Sequence, residues 1–146
     1  MGTIARRNEF EKAVQMTRAV IREDLGLHQA ENQLDNLGED IQAWLLHRGS
    51  AKVYIVLTMG PETSFLQVFS PVFNIAGAPP EGLFQFLLER NQEMVSAGFA
   101  LKDQRVVLKS DRTLAGLDRS EIWDCILRVG RLADKYDDLL AEQFAR

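Results

Sequence analysis

The stretch IQAWLLHRGSAKVYIVLT, residues 41–58, decides the fold. Lys52 to Thr58 is dense in β-branched and aromatic residues, the composition of a strand. Ile41 to His47 reads as a second strand, and Arg48-Gly49-Ser50-Ala51 between them as a tight turn. A half-buried strand should alternate apolar with polar residues. Here Val53, Ile55 and Leu57 point one way while Tyr54 and Val56, also apolar, point the other. Trp44 and Leu46 oppose Ile41, Ala43 and Leu45 in the same manner. The period of two identifies strands, and the missing polar rows predict a sheet with two apolar faces.

Toward the C-terminus, Gly60-Pro61 breaks the second strand and Phe65 to Phe69 begins a third, which can run past Pro71 to Ile75. A proline there fits a sheet edge or a bulge. Short connections make the three strands an antiparallel meander. Phe65 and Phe69 oppose Leu66 and Val68, so both faces stay apolar. Ala78-Pro79-Pro80-Glu81 then opens a helix with Pro80 in its first turn. Its stripe is Leu83, Phe84, Leu87, Leu88, Asn91, Met94 and Val95, and Gly98 ends it. Phe99 to Lys102 and Arg105 to Lys109 form a hairpin turning at Asp103-Gln104, with a continuation toward Leu114.

In the last segment, Asp118 and Glu121 have capping-box spacing. Ile122, Cys125, Ile126, Val129, Ala133, Tyr136, Leu140 and Phe144 follow along one helical face. Gly130 lies on that face at a cost of about 1 kcal/mol against alanine, which predicts a close approach of helix to sheet. At the other end, Phe10, Val14, Thr17, Ile21 and Leu25 predict a helix over Asn8–Leu25, with Asn8 as its cap, Glu11 as the reciprocal partner and Gly26 as its stop. Residues 27–40 read as a loop or a ragged, exposed strand. The order is helix, three strands, helix, two strands, helix: an α+β chain with helices beside an antiparallel sheet. Its 146 residues are expected to form a single domain, 1–146, with enough length to bury a core unaided.

Composition narrows the function. The charge of −4 and the scattered basic residues speak against nucleic acid as a partner. No apolar run reaches the ~20 residues that span a bilayer, and residues 1–10 are too polar for a signal peptide. A cytoplasmic protein with no membrane partner is therefore expected. Cys125 is the only cysteine and sits in an apolar stripe, the setting of a buried, inert thiol.

The sequence offers little chemistry. His28 and His47 are far apart in the chain and lack ligand spacing, so no metal is expected. Ser50 or Ser70 could in principle be served by His47, but no motif supports a triad, and His47 reads as a strand-end surface residue. Glu39-Asp40 and Asp137-Asp138 read as solvated acids. No glycine-rich phosphate loop occurs, so no cofactor is expected. Catalytic residues: none. The chain reads as no enzyme.

The excess of apolar residues remains to be explained. The second sheet face could be covered by the helix of residues 80–95, closed by a homodimer, or left as a groove for a partner's extended segment. The candidate interaction face is Trp44, Leu46, Tyr54, Val56, Phe65 and Phe69. The leading expectation is a protein-binding domain, chaperone-like or adaptor, that holds a partner protein or a second copy of itself. The alternative is a regulatory domain with an enclosed small-molecule pocket.

Several segments in order resemble the YbjN-type domain, a bacterial family with the type III secretion chaperone-like fold. They are His47-Arg48-Gly49-Ser50-Ala51-Lys52-Val53-Tyr54-Ile55 and Phe65-Leu66-Gln67-Val68-Phe69-Ser70-Pro71-Val72, then Phe84-Gln85-Phe86-Leu87-Leu88-Glu89-Arg90-Asn91. Phe99-Ala100-Leu101 with Arg105-Val106-Val107-Leu108 follows, and Ala133-Asp134-Lys135-Tyr136-Asp137-Asp138 completes the set. The resemblance implies an α-β-β-β-α-β-β-α order, cytoplasmic protein binding as a chaperone or a sensory transduction regulator, and no transferable catalytic residues. It departs from the family at Asp103-Gln104, where a glycine-containing turn is common.

Overall fold

The computed structural model describes residues 2–144, so Met1, Ala145 and Arg146 of the expected domain lie outside the described residues. The deciding stretch forms two antiparallel strands, β2 (Ile41–Arg48) and β3 (Ala51–Thr58). They close over Gly49-Ser50, in register Arg48↔Ala51, Leu46↔Val53 and Trp44↔Ile55. Gly49 has φ +59°, and a Cβ there would lie 2.6 Å from Asp134 Oδ1, so glycine meets both demands. The close approach is a clasp. The Ser50 backbone N–H donates to Asp134 Oδ1 at 2.9 Å, and the Ser50 hydroxyl lies 2.7 Å from that oxygen and 2.8 Å from Asp137 Oδ2. The backbone N–H, then the hydroxyl, holds the Asp134 carboxyl below its ordinary range.

The meander continues into β4 (Phe65–Asn74). Beyond a helix, α3 (Leu83–Glu93), come β5 (Gly98–Lys102) and β6 (Arg105–Thr113). A two-residue strand β1 (Gln33–Leu34), preceded by the short helix α2 (Gln29–Asn32), pairs on the far edge. The ragged segment expected over 27–40 is therefore part helix and part strand. The six strands stand in the order β1-β2-β3-β4-β6-β5, every neighbour antiparallel. Pro71 lies at a register shift between Pro71 and Phe73, and β3 pairs no further along β4 than Phe69. That is the bulge the proline required. Asp103 and Gln104 have φ +50° and +63°, the mirror-image turn that suits a two-residue hairpin.

Helix α4 (Arg119–Phe144) lies across β3 and β4 and buries Ile122, Cys125, Ile126, Val129, Ala133 and Leu140. Its capping box is reciprocal: the Asp118 N–H donates to Glu121 Oε1 at 3.0 Å and the Glu121 N–H to Asp118 Oδ1 at 2.9 Å. The Ser120 hydroxyl, followed by that N–H, holds the Asp118 carboxyl low.

Two N-terminal expectations are corrected. Helix α1 (Thr3–Ala19) starts before Asn8, which is a mid-helix residue and caps nothing. The apolar period begins only at Phe10, so the preceding polar turn carried no signal. Pro80 likewise precedes α3 and accepts from the Leu83 N–H at 3.2 Å. Helix α1 ends in a π-turn over Val20–Asp24, where the Leu25 N–H reaches the Val20 carbonyl at 2.9 Å. Arg119 ties it to α4, with 3.0 and 2.9 Å contacts to the Asp24 carboxylate.

Gly130 occupies the close approach read from its position. A Cβ there would lie 3.2 and 3.3 Å from Arg48 Cβ and Cγ, and 3.8 Å from Val53 Cγ2. Arg48 Cβ is fixed by the β2 backbone, so Gly130→Ala needs a shift of a few tenths of an ångström between helix and strand. That shift offsets its gain of about 1 kcal/mol in helix propensity and should leave the change close to neutral. Gly130→Leu must displace the Arg48 stem outright and should cost about 1–3 kcal/mol. Thermal melts of the pair test the contact, and a leucine variant as stable as the parent would overturn it.

Candidate protein-binding surface

Residues opposite one another across a sheet share a face. The pairs Trp44↔Ile55, Leu46↔Val53, Ile55↔Val68 and Leu57↔Leu66 therefore lie on one side. Helices α1, α3 and α4 all pack on that side. Phe10 and Val14, Leu83 and Leu87, and Ile122 and Ile126 share one buried cluster with Trp44 and Ile55. The helix expected over residues 80–95 thus does not cover the second face. It sits beside α4, where the Phe86 and Phe144 rings meet edge-on at 5.6 Å. Asn91 holds it to β5, accepting from the Phe99 N–H at 2.6 Å and donating to the Phe99 carbonyl at 3.2 Å.

Trp44 and Leu46 need correction. Both are 0% exposed on the helix-covered side, and neither belongs to the candidate interaction face. The other four residues are together on the open side, through Tyr54↔Phe69, Thr58↔Phe65 and Ala43↔Val56. Leu45 joins them opposite Tyr54. Tyr54, Val56 and Phe69 are half-buried, and Phe65 is 41% exposed. The Tyr54 and Phe69 rings stack at 5.1 Å with planes 10° apart. Lys102 Nζ stands 5.2 Å from the Phe69 ring, a cation–π contact. A hollow of about 330 Å³ opens there, walled by Tyr54, Phe69, Pro71 and Val107 and edged by Lys102, Asp103 and Arg105. The result is an aromatic floor with a charged rim of two cations and one carboxylate.

A second apolar surface escaped the sequence reading. Between α3 and the edge strand β5 runs a groove of about 290 Å³ lined by Phe84, Leu87, Leu88, Phe99 and Leu101, among others. Leu88 is 69% and Leu101 57% exposed. The signal was present in the α3 stripe, which is too wide for one contact. Leu83 and Leu87 form the buried row, while Phe84 and Leu88 form an adjacent row that faces out.

The chemistry-bearing residues do not converge. His47 is exposed at the end of β2, Ser70 is fully buried in the sheet, and Ser50 is engaged by the two aspartates. Asp40 pairs with Arg7 at 2.6 Å. Cys125 is 1% exposed, with its sulfur 3.6 Å from Ser110 Oγ. Among the described residues no group of three or more His, Cys, Asp or Glu could hold a metal ion, and no helix is long and apolar enough to cross a membrane.

Comparison with known proteins bears on the same fold. A chain in the crystal structure of the ExsC–ExsE complex superposes with a TM-score of 0.62, over 88% of this chain and 94% of that one, at 19% identity. At that identity the likeness speaks for the fold alone, an α+β arrangement of helices on an antiparallel sheet. No curated protein matches the sequence at a significant level. The family model described as "YbjN: Putative bacterial sensory transduction regulator" matches residues 17–142, nearly everything from within α1 to the last turns of α4, and the chain belongs to the YbjN family.

Proposed function

We propose that this domain is a non-enzymatic, chaperone-like or adaptor module that holds an extended segment of a partner protein on the open face of its sheet, within the cytoplasm. The observation that carries this reading is the Tyr54, Val56, Phe65 and Phe69 face, apolar and left uncovered by all three long helices. Contiguous apolar surface of this kind usually marks an interaction site. Lys102 and Arg105 outweigh Asp103 at its rim by one charge, which favours a segment that sets an acidic residue among its apolar ones. That a similar fold occurs in a structure of a protein complex accords with the reading. The test is capture from host lysate by the immobilised parent, with a variant altered only at this face as the control. Proteins retained equally by both would count against it.

Self-association belongs to the other surface. The α3–β5 groove has no charged side chain in its lining, and β5 is the terminal strand of the sheet. A two-fold interface must be self-complementary, and here a projecting Leu88 and a receptive groove lie side by side. Leu88→Glu should halve the mass read by light scattering while leaving the melt nearly unchanged, because the side chain is exposed. A parent that is already monomeric at working concentration overturns the homodimer.

A further inference from the structure

A polar hollow of about 370 Å³ lies on the helix-covered side, between β6, α4 and the loop entering β5. The topology creates it. Strand β5 begins opposite Lys109, so β6 beyond that residue has β4 as its only strand neighbour. The loop crossing the gap carries Ser96 at φ +58°, an unfavourable conformation for a residue with a side chain. That conformation is held from below, since the Ser110 hydroxyl donates to the Ser96 carbonyl at 2.7 Å. Ser96, Ala97, Ser110 and Cys125 line the space together with the charged Lys109, Asp111, Arg112 and Arg128.

The charges around this hollow do not cancel. Lys109 is paired with Asp111 at 2.8 Å and Arg112 with Glu121 at 2.5 Å. Arg128, half-buried on α4, has no acidic partner among the described residues. A guanidinium partly withdrawn from water and left without a counter-charge is costly unless an anion joins it. Its planar fork matches a carboxylate with two parallel hydrogen bonds. One uncompensated positive charge calls for a singly charged group, whereas a phosphate monoester would bring nearly two negative charges. The volume is at the small end of ligand sites.

We infer that this hollow binds a small organic monocarboxylate, with Arg128 taking the carboxylate and the Ser96–Ala97 loop and Ser110 closing over its body. The site lies on the opposite side of the sheet from the proposed protein-holding face and does not depend on it.

The test uses the full chain and four probes: acetate, propionate, benzoate and inorganic phosphate, with ionic strength matched by chloride. The backbone amide signals of Ser96, Ala97 and Ser110 are followed by NMR. Expected is a saturable shift of all three with at least one carboxylate. Arg128→Gln should weaken it about tenfold or more, the worth of a charged hydrogen bond. Arg128→Lys, which keeps the charge without the fork, should fall between, and Arg131→Gln on the same helix should match the parent. Thermal melts confirm that each variant is folded. No saturation by any carboxylate up to about 100 mM, roughly a hundredfold above a millimolar dissociation constant, overturns the site. So does binding that survives Arg128→Gln unchanged. Tighter binding of phosphate than of every carboxylate overturns the assigned ligand class.

Discussion

Trp44→Ala is expected to destabilise the domain by about 3–5 kcal/mol, the range for truncating a buried tryptophan. Trp44 is 0% exposed and shares the buried cluster with Phe10, Leu46 and Ile55. Removing the indole leaves a void that neighbours on a paired strand cannot close, because β2 is held on both sides by β1 and β3. Trp44→Phe should cost much less. It keeps most of the ring contacts and removes an indole N–H that has no hydrogen-bond partner among the described residues. Urea denaturation at unchanged slope would measure both. A loss below about 1 kcal/mol for the alanine variant would mean that Trp44 faces outward after all.

The placing of Trp44 shows where a one-dimensional reading stopped short. Alternation along each strand separated two sets of residues correctly, but it did not match the sets between strands. The match was available. A two-residue turn at Gly49-Ser50 fixes the pairing as Arg48↔Ala51, and counting outward puts Trp44 opposite Ile55 and Leu45 opposite Tyr54. Had the register been counted, Trp44 and Leu46 would have joined Val53, Ile55 and Leu57 on the core side.

Other features were legible because their signals are local. The Asp118–Glu121 box, the α4 stripe and the close approach at Gly130 each depend on residues within a turn or two of one helix. The π-turn at Val20–Asp24 was not, since one widened turn leaves Val20 and Ile21 buried and barely disturbs a period of 3.6. The side on which α3 packs was also hidden. It depends on contacts to β5 and to Phe144, distant in sequence, and the α3 stripe is apolar along two adjacent rows. The hollow around Arg128 combines a loop, a strand end and a helix, and only the assembled fold shows that this arginine lacks a partner.

The double change Tyr54→Ser and Val56→Thr should separate folding from capture. Both side chains are half-buried on the open face and lie outside the cluster that the helices bury. Truncating Tyr54 removes the stacked contact with Phe69, worth about 0.5–1.5 kcal/mol. Threonine replaces valine with the same shape and keeps strand propensity, and its hydroxyl can reach water at this face. The apolar area that Tyr54 buries is lost as well. The fold should therefore survive with a melting temperature lowered by several degrees, as a loss of about 2 kcal/mol implies. Capture should suffer far more. A central aromatic anchor in an interface carries about 2 kcal/mol or more, roughly thirtyfold in affinity, and Tyr54 also forms one wall of the hollow beside Lys102. Partner retention should fall to background while circular dichroism and the mass measured by light scattering stay those of the parent. If the double variant unfolds, the face is core and the arrangement of helices on one side is wrong. Retention, mass and melt all equal to the parent would leave the open face with no part in binding.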